Sequence, residues 1–199
     1  MQIIPKIYRQ VIPETVLDTW STLMTIRYRS SKFMLWFSLS LAMLIPVFAY
    51  ANPKAGAVAP AATFTSQQNK SLSLTAYHGQ KVMLWLFSTW CPSCQAGLGA
   101  LAQEQQALAA GHVRLIVLEN YRNGGYPGPT MQELLNQYAS TVKDAPNWTI
   151  GNATRELAAV YNAKSYPDIY YLIGADGKIE TVGSAPSASM NEILTFARK

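Results

Sequence analysis

Cysteine is scarce in this 199-residue chain, which holds two, Cys91 and Cys94. So low a count excludes a disulfide-stapled miniprotein and leaves both sulfurs free for chemistry. Histidine is as scarce, and His78 and His112 each sit beside a glycine at an expected turn, a setting that favours solvated turn residues over metal ligands. Excess positive charge is small outside the beginning of the chain. Residues 1–51 hold five Lys+Arg against two acids, and the rest holds eleven against nine. No basic stripe is left to bind nucleic acid. Internal repeats are absent, which excludes a solenoid. What is present is a hydrophobic fraction of 49%, too high for a disordered chain. The roughly 150 residues after the first segment suffice for one core without metal or structural disulfides.

Arg27, Arg29 and Lys32 precede an uncharged run from Phe33 to Ala49 that ends in Ala49-Tyr50-Ala51. A positive flank, a short apolar run and small residues at its end describe an export signal, with cleavage expected after Ala51. The competing reading is an uncleaved membrane anchor with Pro46 tolerated inside it. Either way the positive flank stays inside and the remainder is delivered to the periplasm or its equivalent. Met24 offers an alternative start, because residues 1–26 form a long prelude for a signal.

Three segments are therefore expected: the signal or anchor over 1–51, a flexible Ala/Pro/Gly-rich linker over 52–63, and one domain over 64–199. Within the domain, Ser71 to Thr75 alternates as a strand, Tyr77-His-Gly-Gln turns, and Lys81 to Phe87 is an apolar strand. Gln95 to Ala110 carries Leu98, Leu101, Gln105 and Leu108 along one helical stripe, with Gly111 at the C-cap. Val113 to Leu118 reads as a central strand covered on both faces. Asn123-Gly-Gly-Tyr-Pro-Gly-Pro is a loop, and Thr130 with Glu133 forms a capping box for a helix to about Thr141. A Trp148-Thr-Ile strand, a helix from Asn152 or Thr154 to Tyr161, an Ile169–Val182 hairpin turning at Gly174-Ala-Asp-Gly, and a helix from Ser189 to Arg198 complete it. Strands alternating with helices indicate an α/β domain.

Trp90-Cys91-Pro92-Ser93-Cys94 stands where the apolar strand ends and the helix begins. The helix N-terminus offers unsatisfied N–H groups and a positive dipole end to the first sulfur, which favours its thiolate. Cys91 is thus the expected nucleophile for mixed-disulfide formation, and Cys94, one turn inside, the resolving thiol. Pro92 suits the first helical turn. A purely structural disulfide would close too small a loop to add much stability. Half a zinc site is the other reading, but the second half is missing. Tyr166-Pro167 precedes the Ile169 strand; a loop-to-strand proline in trans competes there with a cis-proline facing the cysteines, which would leave the Tyr166 backbone to pair with an extended peptide.

These residues resemble the thioredoxin fold, and within it the exported TlpA/ResA-like thiol–disulfide oxidoreductases. The resemblance runs from Ser71 to about Val182 and rests on Ser-Leu-Thr-Ala-Tyr-His-Gly-Gln-Lys-Val-Met-Leu-Trp-Leu-Phe-Ser-Thr-Trp-Cys-Pro-Ser-Cys and on Tyr-Pro-Asp-Ile-Tyr-Tyr-Leu-Ile-Gly-Ala-Asp-Gly-Lys-Ile. It implies a central mixed β-sheet flanked by helices with an N-terminal β-hairpin extension, an exposed Cys91, a resolving Cys94, and a cis Pro167 packed against the pair. Two acids used by relatives are missing: Trp85 stands six residues before Cys91, and Gly97 three residues after Cys94. Asp168 and Glu119 are the candidates to accept the Cys94 proton instead. Tyr166 is bulkier than the family's usual residue at its position.

The expected activity is thiol–disulfide exchange with exported proteins, without metal or organic cofactor, Trp90, Pro92, Ser93, Tyr166 and Pro167 framing the reactive pair. The resemblance favours a reductant recharged by a membrane electron donor, since an oxidising compartment lacks a reducing buffer. A disulfide-donating oxidant is the alternative. A Cu(I)-binding module using both thiolates, with Met83 or Met131, is the rival from another class.

Overall fold

The computed structural model describes residues 52–199; the expected signal, its cleavage site and the alternative start lie outside the described residues. Seven strands form one sheet: β1 (Thr63–Ser66), β2 (Ser71–Ser73), β3 (Lys81–Phe87), β4 (Val113–Glu119), β5 (Trp148–Ala153), β6 (Asp168–Ile173) and β7 (Ile179–Gly183). Their order is β2-β1-β5-β4-β3-β6-β7. The inner strands β3, β4 and β5 run parallel, and the outer pairings are antiparallel. The expected mixed sheet with an N-terminal hairpin is what forms.

Every residue of β6, and all of β3 but Lys81, is buried. Such near-continuous apolar strands require cover on both faces. Helices α1 (Pro92–Gln103), α2 (Gln105–Ala110), α3 (Met131–Tyr138) and α5 (Met190–Arg198) cover one face, where Leu98, Leu108, Leu134 and Phe196 meet Met83, Trp85 and Phe87. Helix α4 (Arg155–Tyr161) covers the other through Leu157 and Tyr161, against Leu84, Leu86, Ile169 and Tyr171. Odd-numbered residues of β3 and β4 and even-numbered residues of β6 therefore face α1.

Several boundaries differ from those read in the sequence. The long helix is two, because Glu104 leaves helical geometry (φ −90°, ψ 12°) between α1 and α2. The strand read from Ser71 is β2, preceded by β1, and it stops at Ser73, whose hydroxyl caps a 3-10 turn over Leu74–Tyr77. Thr130 caps α3 in the expected capping box with Glu133, although the helix ends at Tyr138. The expected linker is laid along the β6–β7 hairpin: Gly56 N–H donates to Ile179 O, Ile179 N–H to Ala57 O and Ala59 N–H to Gly177 O, at 2.8–2.9 Å. Main-chain pairing needs no side chain to bury, so Ala/Gly-rich composition did not announce it. Tyr161 Oη also donates to Pro60 O at 2.6 Å. Among the described residues no helix is long and apolar enough to cross a membrane.

Candidate active site

The parallel strands β3 and β4 end together at Phe87 and Glu119, and β6 begins beside them at Asp168. The three strand ends bring four segments to one place: Ser88–Cys94, Asn120–Gly128, Ser165–Asp168 and Ser184–Pro186. Cys91 is the N-cap of α1, Pro92 its first residue, and Cys91 O accepts from the N–H groups of Cys94 and Gln95 at 3.1 Å. Both thiols are free. Cys91 Sγ lies 3.1 Å from Ser93 Oγ, in a hydrogen bond either atom can donate. Cys94 Sγ donates to Pro167 O at 3.4 Å.

Cys91 is 6% exposed, whereas the resemblance implied an exposed nucleophile. Its Cβ carries it into the α1 face of the sheet, where it joins the core cluster, while Pro92 and Ser93 stand in solvent. Cys94 is fully buried. Burial pushes its thiol far above the ordinary cysteine value, helped by its hydrogen bond with Cys91 and by the like charge of Asp168.

The Tyr166–Pro167 bond is trans, since no peptide bond among the described residues is cis. This corrects the cis expectation. A buried amide network grips the backbone of this loop. Asn120 Nδ2 donates to Ser88 Oγ (3.0 Å), Tyr166 O (3.1 Å) and Pro167 O (3.3 Å). Asn162 Nδ2 donates to Asn120 Oδ1 (2.9 Å) and Tyr166 O (2.8 Å), and Asn162 Oδ1 accepts from Tyr166 N–H (2.8 Å). Both polar groups of the Tyr166 backbone are thus taken within the chain, so they are not free to pair with a peptide as the sequence reading supposed. Its side chain, 43% exposed, remains available.

A second clamp comes from the loop after β4. Arg122, Asn123 and Gly124 are all left-handed (φ 52°, 54° and 67°), a conformation asparagine and glycine tolerate best. The turn aims Asn123 back at the cysteine motif: Thr89 N–H donates to its Oδ1 (2.7 Å), its Nδ2 donates to Thr89 Oγ1 (2.8 Å), and Trp90 Nε1 donates to its carbonyl (2.8 Å). Tyr126, exposed, meets the Trp90 ring edge-on at 5.3 Å. Gly128 must be glycine, because a Cβ there would fall 2.6 Å from Thr89 Oγ1 and 2.9 Å from Trp90 N. The loop was visible in Asn123-Gly-Gly; its grip on the motif was not, and neither were Asn120 and Asn162.

Trp85 and Gly97, the two departures from the family pattern, meet each other. A Cβ on Gly97 would lie 3.3 Å from the Trp85 ring, so the indole occupies the space above β3 that a larger residue on α1 would need. The indole Nε1 donates to Asp168 Oδ1 at 2.6 Å, and Ala185 N–H donates to Asp168 Oδ2 at 2.7 Å. Burial raises the Asp168 carboxyl above its usual range, opposed by these two donors.

The remaining candidates lie elsewhere. His78 and His112 precede β3 and β4, at the ends of those strands opposite the cysteines. Met83 and Met131 are packed in the α1-side core. No group of three or more His, Cys, Asp and Glu side chains is gathered as a metal site among the described residues.

Residues 55–182 match the AhpC/TSA family. Among solved structures, a thiol:disulfide interchange protein of the thioredoxin family from Chlorobium tepidum is similar at 18% identity and TM-score 0.56, covering 75% of this chain and all of its own length. A secreted Mycobacterium tuberculosis disulfide oxidoreductase homologous to E. coli DsbE is similar at 23% identity and TM-score 0.52, over 69% of this chain and 94% of that one. A thiol:disulfide interchange protein from Bacteroides sp. is similar at 18% and 0.52, over 74% and 92%. At these identities the likeness establishes the thioredoxin-like fold. A search of the curated proteins finds no match.

Proposed function

The chain belongs to the AhpC/TSA family, and from that premise we propose that it is an exported thiol–disulfide oxidoreductase working as a reductant of protein disulfides. The observation that carries the reading is the placement of Cys91 at the N-terminus of α1 with Cys94 one turn inside, buried and hydrogen-bonded to Pro167 O. In this arrangement Cys91 Sγ attacks a partner disulfide and forms a mixed disulfide, the partner's other sulfur leaving as a thiolate. Cys94 then attacks Cys91 Sγ, closes the Cys91–Cys94 bond and releases the partner's second sulfur. A buried Cys94 that holds its proton reserves the first attack for Cys91.

The partner docks over the exposed Tyr166, Pro167 and Tyr126 side chains, which stand at this end of the sheet. The pair needs no further cofactor. A membrane electron donor restores the dithiol, and export follows from the signal read in residues 1–51. Interchange activity in the names of similar proteins supports the exchange reaction. The test is covalent trapping: Cys94→Ala expressed in the native host should accumulate mixed disulfides through Cys91 that dithiothreitol releases. Absence of such adducts, or their persistence in a Cys91→Ala/Cys94→Ala protein, contradicts the proposal.

A further inference from the structure

Resolution of the mixed disulfide requires the buried Cys94 thiol to lose its proton, and neither acid position known from relatives is occupied by an acid here. We infer that Asp168 is the group that takes this proton, the acid having moved from β3 or α1 to the first residue of β6. The inference rests on the dithiol chemistry proposed above.

Three observations place Asp168 for this role. As an even-numbered residue of β6 it faces α1, the side on which Cys94 is buried, and it pairs with Phe87 at the site end of β3. It directly follows Pro167, whose carbonyl accepts the Cys94 thiol at 3.4 Å. Its carboxylate is held at both oxygens, by Trp85 Nε1 and by Ala185 N–H, at 2.6 and 2.7 Å. A buried carboxylate without such donors would be too costly to ionise, so the indole that replaces one acid keeps the other ionisable. The Asp168 charge disfavours the Cys94 thiolate and so helps keep the proton on sulfur until resolution. Glu119, the other candidate, lies across the intervening β3 and accepts no side-chain hydrogen bond among the described residues, and burial raises its carboxyl.

The step balances. The proton leaves Cys94 Sγ for the Asp168 carboxylate, directly or through one water. The sulfur attacks Cys91 Sγ, the Cys91–Cys94 bond forms, the Cys91–partner bond breaks, and the partner leaves as a thiolate. The partner disulfide has gained two electrons and the cysteine pair has lost them. Asp168, now a carboxylic acid, returns its proton to the leaving thiolate or to solvent.

The ionisable groups around Asp168 on this face are Cys91 and Cys94, Tyr170 on β6, Glu192 of α5 behind the Tyr170 hydroxyl, and Glu119 on β4. Helix α1 and the Ser184–Ala188 loop contribute no charged side chain. The test is stopped-flow reaction of the reduced full chain with the aromatic disulfide 5,5′-dithiobis(2-nitrobenzoate). The first nitrothiobenzoate release reports Cys91 attack, and the second reports resolution by Cys94. Asp168→Asn should slow the second phase about a hundredfold at pH 7, within the usual range for a positioned base, and leave the first unchanged. The wild-type second phase should rise through an inflection that Asp168→Asn lacks. Trp85→Phe, which keeps the carboxylate but removes the indole donor, should move that inflection to higher pH. A second phase in Asp168→Asn within threefold of wild type and with the same pH profile overturns the inference, and so does an unmoved inflection in Trp85→Phe should Asp168→Asn fail to fold. Failure of the underlying reading looks different: wild type would then show no second phase, or Cys94→Ala would retain it.

Discussion

Asn120 is the hub of the site, and removing its amide is the sharpest structural test. Its side chain is 5% exposed and donates to three acceptors with two hydrogens while accepting from Asn162 Nδ2. Asn120→Ala therefore deletes about three effective hydrogen bonds, each worth ~1 kcal/mol net. It also strands the buried Ser88 hydroxyl, while Tyr166 O keeps its bond from Asn162 and Pro167 O keeps those from the Ser88 N–H and the Cys94 thiol. The expected loss is about 3 kcal/mol, a fall in Tm of roughly 10 °C for a domain of this size. Urea unfolding followed by tryptophan fluorescence, which samples Trp85 and Trp90 at the site, reads both the midpoint and the slope. The midpoint should fall with the slope unchanged. Asn120→Asp should be worse still, because it turns the donor toward two carbonyls into a third acceptor. A loss below about 0.5 kcal/mol for Asn120→Ala would refute the claim that this amide holds the Tyr166–Pro167 loop, since that is the range of an ordinary surface substitution.

Alkaline pH gives a second test with a definite sign. The folded Cys94 thiol keeps its proton where the unfolded chain loses one, so stability falls as pH rises above the ordinary cysteine value. From about pH 9 to 10, under reducing conditions, the slope should approach ~1.4 kcal/mol per pH unit, and Cys94→Ala should lack it; equal slopes would contradict the burial argument. At the acid end, Glu133 is held below its usual carboxylate range by the Thr130 N–H and hydroxyl. Its contribution to the cap is present above the unfolded-state value and is lost as pH falls through the depressed one. Thr130→Ala should cost about 1 kcal/mol and return the Glu133 titration, followed by NMR, toward normal. Trp90→Phe removes the indole bond to Asn123 O and should raise hydrogen exchange in residues 121–128 while leaving the sheet amides protected.

Much of this domain was legible because its signals are local. An apolar strand running into Trp90-Cys91-Pro92-Ser93-Cys94, a Thr130/Glu133 capping box and a Gly174-Ala-Asp-Gly turn each state their structure within a few residues, and each is found where it was read. The supports of the site were not legible, because their partners are remote in the chain. Asn120 reaches Asn162 and Tyr166 across 42 and 46 positions, and Trp85 reaches Asp168 across 83. An asparagine gives no sign in sequence that its amide will close over another loop's carbonyl. The Tyr166–Pro167 bond shows the same limit from the other side. The family pattern implied cis, whereas the bond is trans, and of the two asparagines that grip this loop Asn162 lies four residues upstream while Asn120 comes from another segment. Trp85 and Gly97 could be seen as departures, but only their contact makes them a matched pair.

The central claim is that Cys91 and Cys94 form a reversible dithiol–disulfide couple whose dithiol reduces partners. Its most direct test is the equilibrium reduction potential of the pair, titrated against dithiothreitol with thiol alkylation as the readout. The account predicts one two-electron transition that both cysteine variants lack, near or below the thioredoxin value of about −270 mV. A transition near −120 mV would contradict the reducing direction, because such a pair donates disulfides, and the absence of any transition would contradict the redox reading itself.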